Sequence, residues 1–323
     1  MQSGSMELSV VVPFYNEVDT VDELYRRLKN VLEELGRGYE MVFVDDGSLD
    51  GTGEKLAALS DADSTVSLIR LRRNFGQTAG LAAGFDFALG EVILAMDGDL
   101  QHFPEDIPLL IAQIDAGYDI ASGWRKDRVD SFFIRRIPSW IANRMMAKLS
   151  GVKLNDFGTT FKAYRKAVIK NIELYPGFHR FIPALASWQG VSIAEVPIQN
   201  IERPKGVSKY GLSRSVQVFF DLITIKFVLS YMSKPLQFFG SIGAVFFGVG
   251  FLAALAIAFF YYLGDLVINE HLGNLIFAML MMVLGVQLGA IGLSLEVGTR
   301  TYYRASRQKI YAVREIRSSR GKR

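Results

Sequence analysis

The chain has 323 residues, half of them hydrophobic, a formal net charge of +3 and no cysteine. Disulfides and thiolate zinc sites are therefore excluded, and so small a positive surplus gives no reason to expect nucleic acid as a partner. The mean hydropathy of +0.21 is high for a purely soluble enzyme and calls for an apolar region somewhere in the chain.

Residues 1–5 precede a second methionine and read as an expression remnant outside the fold. From Leu8 to Phe14 the run LSVVVPF predicts a buried strand, ending in Tyr15-Asn16-Glu17. Asp19 is the expected N-cap of a helix whose apolar positions Val21, Leu24, Leu28, Val31, Leu32 and Leu35 share one face, with Gly36 and Gly38 closing it. Glu40–Val44 is the next predicted strand, followed by Asp45-Asp46-Gly47-Ser48-Leu49-Asp50-Gly51-Thr52 and a second helix. Ser48 and Asp50 are candidate caps for that helix. Val66–Leu71 predicts a third strand, and the small-residue stretch from Thr78 to Leu89 a third helix.

The central strand, Val92 to Met96, stops at Asp97-Gly98-Asp99. Strands and helices in this alternation predict an α/β domain on a mostly parallel sheet, which binds ligands beyond the carboxyl ends of its strands. If strand geometry persists, Asp97 and Asp99 point to one side and offer two hard oxygen donors, half of a sphere for Mg2+ or Mn2+. An Asp-Gly turn that happens to carry a second Asp is the plain alternative. Neither G-x-G-x-x-G after a strand nor G-x-x-x-x-G-K-[ST] occurs, so the dinucleotide and P-loop readings lack their phosphate cradles.

The blocks VVVPFYNE, VFVDDGSLDGT, RNFGQTAGLAAG and DGDLQHFPE, in this order, resemble the family 2 glycosyltransferases of the GT-A fold. The resemblance implies that Asp97 and Asp99 bind a divalent cation on a sugar-nucleotide diphosphate, with Gln101 completing the metal shell. It also places Pro13, Tyr15, Glu17, Asp46, Gly76 and Gly98 about the nucleotide sugar. Tyr118–Gly123 reads as a further strand before Trp124-Arg125. The segment Asn155–Lys162 is similar to the family's D-x-G-x-F-[RK], which carries an acid beside the reacting sugar, a role that falls to Asp156; a turn acid is the other reading.

Farther on, R-x-x-G-x-S-K-Y, with Arg203, Gly206, Ser208, Lys209 and Tyr210, is similar to dolichyl-phosphate mannose synthases and bacterial polyprenyl-phosphate glycosyltransferases. A guanidinium, an ammonium and a hydroxyl on one loop can hold a phosphate monoester, so Arg203, Ser208, Lys209 and Arg125 are the expected acceptor-phosphate residues. No Q-x-x-R-W occurs, which weighs against a polymer-extruding synthase.

Residues 212–235 read as juxtamembrane amphipathic helices. Phe238–Leu263 and Asn274–Leu295 are uncharged spans, each long enough as a helix to cross a hydrocarbon core of about 30 Å. Arg300, Arg304, Arg307, Lys309, Arg314, Arg317, Arg320, Lys322 and Arg323 then make a basic tail, cytoplasmic by the positive-inside rule. The expected organisation is a cytoplasmic glycosyltransferase domain over 6–211, two membrane helices within 236–299 and a cytoplasmic tail over 300–323, in a bacterial inner membrane. The expected reaction is inverting transfer of one sugar, glucose from UDP-glucose in the first instance, to a polyprenyl phosphate. A homo-oligomer is expected. Transfer to another membrane lipid and a non-catalytic nucleotide-binding scaffold are the rivals.

Overall fold

The computed structural model describes residues 6–126, 151–174, 177–187, 190–199, 235–264, 271–305 and 309–318, with Arg144, Met146 and Ala147. Two compact units result: 1–222 together with 309–323, and 223–308.

The first unit is built on an eight-stranded mixed sheet. Its strands are β1 (Leu8–Phe14), β2 (Tyr39–Asp45), β3 (Val66–Leu71), β4 (Val92–Ala95), β5 (Ile120–Trp124), β6 (Lys162–Arg165), β7 (Ile193–Pro197) and β8 (Val313–Arg317). Their order is β7-β5-β6-β4-β1-β2-β3-β8. The central run β4-β1-β2-β3 is parallel, as the β-α-β alternation requires, and β5 pairs β7 in parallel. Two strands run against their neighbours: β6, between β4 and β5, and β8 on the far edge.

Helices α1 (Val21–Glu34), α2 (Thr52–Ala62), α3 (Gln77–Phe87), α4 (Ile107–Asp115), α5 (Lys166–Ile169) and α6 (Ile182–Ala186) cover the sheet. On one face Leu24, Leu28 and Leu32 of α1 and Ile107, Leu110 and Ile111 of α4 bury Val10, Val12 and Phe14. On the other, α3 lies so near β1 that glycine is needed at the contact. A Cβ at Gly80 would sit 3.0 Å from Cβ of Pro13, and one at Gly84 would overlap Val11. β1 is thus covered on both sides, which explains its apolar run from Val10 to Phe14.

Two expectations change here. The cap of α1 is Thr20, not Asp19, and it makes no side-chain bond to the helix. Its hydroxyl instead donates to the carbonyl oxygens of Glu17 and, at 2.7 Å, Gly98, tying the helix start to the acidic turn. The stretch read only as a basic tail also contains a strand, β8, which pairs antiparallel with β3.

In the second unit, α7 (Pro235–Tyr262) and α8 (Leu272–Ala305) form a hairpin. Both are long and apolar enough to cross a membrane, and only 11% and 17% of their apolar windows are buried, unlike the core helices of a soluble domain. Glycines set their spacing. A Cβ at Gly243 would lie 2.5 Å from the Gly285 carbonyl, and one at Gly250 2.5 Å from that of Ala278. Residues 212–234, read as amphipathic helices, lie outside the described residues.

Candidate active site

The carboxyl ends of the parallel strands carry loops that are bonded to one another before any ligand is considered. After β1, Asn16 takes a left-handed conformation (φ 54°), which lets its side-chain oxygen accept the Leu49 amide at 2.9 Å while its own N–H meets Ser48 Oγ. Asp50 accepts the amides of Val18 and Thr52, bridging the same two loops and serving the start of α2. The loop after β3 is held by Asp46, whose two oxygens accept the Phe75 and Gly76 amides at 2.8 Å each. Burial pushes the Asp46 carboxyl up, and those amides partly offset the push. Asp46, expected at the nucleoside, therefore also sets the shape of the Arg73–Gly76 loop. Gly76 itself sits at φ 91°, a conformation glycine adopts without strain. Tyr15 is exposed at the rim, and Pro13 is packed against α3.

The acidic turn follows β4, which ends at Ala95, so strand geometry does not itself carry through to Asp99. Asp97 receives a hydrogen bond from Gln77 Nε2 at 2.5 Å, and Gln77 also reaches Thr160 Oγ1 at 3.2 Å. Burial raises the Asp97 carboxyl, against the hydrogen bonds of Thr160 and Gln77. Asp99 Oδ1 accepts the Gln101 backbone amide at 3.1 Å in a local turn, with Leu100 between them at φ 59°. Such a conformation costs a leucine about 1–2 kcal/mol, strain that the surrounding contacts must hold.

The third acid comes from the segment between β5 and β6. Asp156 is buried, and Arg125 grips it with two bonds, Nε to Oδ2 at 2.7 Å and Nη2 to Oδ1 at 3.0 Å. Glu195 of β7 accepts the Asn155 and Asp156 amides and fixes the turn from beneath. The residue expected at the acceptor phosphate and the residue expected at the sugar are thus bonded to each other. Arg203, Ser208 and Lys209 lie outside the described residues.

Several side chains not singled out from sequence converge on the same place. Lys162 of β6 is fully buried and donates to the Phe157 and Thr159 carbonyls. Burial, with help from Arg125, brings its ammonium down to about 7 against the pull of Asp156 and Asp97. His102 is buried and stacked on Phe161 with ring centroids 5.3 Å apart. Burial, then Arg125, lowers its imidazole to about 4, so it is neutral at pH 7. His179 meets Thr78, the neighbour of Gln77, at 2.8 Å. The signal for Gln77 and His102 was their place inside RNFGQ and DGDLQH, and for Lys162 its place at the [RK] end of the Asn155–Lys162 segment.

Among the described residues no group of three or more His, Cys, Asp or Glu converges to hold a metal unaided. Two carboxylates and the side-chain carbonyl oxygen of Gln101 nevertheless have the donor chemistry for a hard divalent cation that would take its remaining oxygens from a diphosphate and water.

The profile of Glycosyl transferase family 2 matches residues 9–173. Over 321 residues the chain is 38% identical to a dodecaprenyl-phosphate galacturonate synthase of Rhizobium johnstonii, covering 97% of this chain and 93% of the relative. It is 34% identical over 312 residues to an undecaprenyl-phosphate 4-deoxy-4-formamido-L-arabinose transferase of Salmonella typhimurium, covering 96% and 93%. Among solved structures, the fold resembles that of glucosyl-3-phosphoglycerate synthase from Mycobacterium tuberculosis in complex with Mn2+ and UDP-glucose. That match has a TM-score of 0.51 at 18% identity over 68% of this chain and 78% of the other.

Proposed function

Since this chain belongs to glycosyl transferase family 2, we propose that it transfers a single sugar from a nucleotide sugar to a polyprenyl phosphate. The observation that carries the reading is the acidic turn after β4, where Gln77 steadies Asp97 and the Gln101 amide steadies Asp99. Asp97, Asp99 and Gln101 would hold Mg2+ or Mn2+, which when bound neutralises charge on the leaving diphosphate. Pro13, Tyr15, Glu17, Asp46, Gly76 and Gly98 line the donor side. A UDP-sugar is the proposed donor, supported by the likeness to an enzyme seen with UDP-glucose. The relatives' names favour galacturonate or a formamido-arabinose over the glucose expected from sequence.

A polyprenyl phosphate needs no strong base to attack. Its second ionisation lies near pH 6, so it arrives mostly as a dianion. Asp156 suits that chemistry, because a carboxylate held by two bonds from Arg125 is a poor proton acceptor and a good fixed charge. It would orient Arg125 toward the acceptor or stabilise positive charge developing on the sugar, while Arg203, Ser208 and Lys209 bind the lipid phosphate. The apolar hairpin and the basic residues after it support an integral membrane protein with its catalytic unit in the cytoplasm.

The test is radiolabelled transfer to undecaprenyl phosphate with Mn2+ and a panel of UDP-glucose, UDP-galacturonate and UDP-formamido-arabinose. Label should enter the organic phase with one donor. Asp97→Asn, shown to be folded, should lose turnover by about a thousandfold, the equivalent of about 4 kcal/mol. Full turnover by that variant at saturating Mn2+ would sink the metal assignment, and label entering only a neutral lipid would sink the acceptor.

A further inference from the structure

His102 lies in the acidic turn's own block, yet no step above uses it. Only 2% of the residue is exposed, and its Nδ1 is a buried atom without a hydrogen-bond partner. Such atoms are rare in folded proteins and ask for an explanation. The other nitrogen, Nε2, lies 3.3 Å from Thr159 Oγ1. That oxygen already accepts the Phe161 amide at 3.2 Å, which leaves the threonine hydroxyl proton free to point at Nε2. An imidazole that accepts at Nε2 carries its proton on Nδ1. Nδ1 faces Asp97 Oδ2 at 3.9 Å. The opposite tautomer would set a bare lone pair against a carboxylate, so both ends of the ring favour Nδ1–H.

The geometry points to His102 as a positioning residue that donates from Nδ1 to Asp97 Oδ2, in a relay running Thr159–His102–Asp97, when the donor diphosphate is bound. The gap from 3.9 Å to a hydrogen bond of about 2.9 Å is a movement of about 1 Å, within reach of a carboxylate rotation. Gln77 already holds Oδ1. With His102 on Oδ2, both oxygens would be fixed from the protein side and their remaining lone pairs turned to the diphosphate site. Carboxylates that bind metals are commonly oriented by such outer hydrogen bonds, whose loss weakens metal affinity by about 10- to 100-fold. Phe161, stacked on the ring, keeps it from rotating out of line.

This inference rests on the metal reading of the preceding section. Two measurements separate their fates. The first is Mn2+ binding to purified protein saturated with UDP, followed by electron paramagnetic resonance. An asparagine at this position places its amide N–H near the site of Nδ1, whereas glutamine places its own near Nε2. His102→Asn should keep Mn2+ affinity within about threefold, and His102→Gln should lose about tenfold or more. Equal loss in both variants, or no loss in either, overturns the relay. The second is nitrogen NMR of 15N-histidine protein without metal, where the chain's three histidines give three ring systems and the one missing from His102→Gln is assigned. An Nδ1–H tautomer supports the relay, and an Nε2–H tautomer overturns it. Wild-type protein that binds UDP but draws in no Mn2+ would refute the metal assignment alone, and the relay would still be decided by the tautomer.

Discussion

A methyl group at Gly98 would stand 2.6 Å from Cδ1 of Phe14 and 3.1 Å from the Pro13 carbonyl oxygen. Glycine between the two acids is therefore a demand of packing against β1, separate from any contact with substrate. Gly98→Ala should cost about 2 kcal/mol of stability by overpacking and lower turnover by about a hundredfold by displacing the acids. Thermal unfolding followed beside the transfer assay checks both; a variant that melts and turns over like wild type would remove the packing argument. At this scale the sequence showed which residues carry charge but not how they pair. Asp97, Asp99 and Asp46 were legible because they stand where predicted strands end. Their pairing with Gln77, Phe75 and Gly76 was not, because those contacts join separate loops that only the parallel sheet brings together. Arg125 and Asp156, read as servants of two different substrates, face each other for the same reason.

Between elements, Asp63 is the clearest tie. It sits just past α2 and gathers Lys29 Nζ at 2.8 Å and Tyr25 OH at 2.7 Å from α1, as well as the Thr65 amide at 2.9 Å. Burial alone would raise its carboxyl; the Lys29, Thr65 and Tyr25 bonds together draw it well below the usual range. A carboxyl depressed in the folded state adds stability above its unfolded value near 4, and that stability is lost as pH falls below it. Asp63→Asn should lower neutral-pH stability by about 2 kcal/mol and flatten the decline between about pH 4 and pH 2. A pH series of unfolding midpoints is the check, and parallel curves for the two proteins would refute it. β1 and β3 were legible end to end because each is mostly apolar and bounded by polar loops. β6, β7 and β8 were not. KAYR and VREIR are short and at least half charged, IAEVP is short and closes on a proline, and each owes its strand conformation to a neighbour already in place.

Across the whole chain, the last strand closes the sheet of the first unit. Beyond its ladder with β3, the segment sends Tyr311 OH to Asp86 at 2.7 Å, Arg317 to Asp61 at 2.9 Å, and the Ala312 carbonyl to the Arg72 amide at 2.9 Å. A chain ended after residue 308 should keep its apolar hairpin yet melt on the order of 10 °C lower, with the Arg73–Gly76 loop loosened. Calorimetry of the two chains in one detergent decides this, and an unchanged midpoint would show the strand to be ornamental. The two long apolar helices were legible from hydropathy alone, whereas the return of the tail was hidden behind its charge. The return also fixes a parity. The chain leaves the sheet before α7 and rejoins it after α8, so the interval between can cross a bilayer only an even number of times.

The order of synthesis follows from the same strand. β3 emerges early with one edge unpaired, and its partner β8 is made some 240 residues later. Until then that edge is open to any extended peptide, and the ribosome must first deliver both apolar helices. Completion of the sheet is thereby a late event that follows synthesis of both apolar helices, and a nascent chain that stalls before β8 carries an unfinished edge for quality control to find.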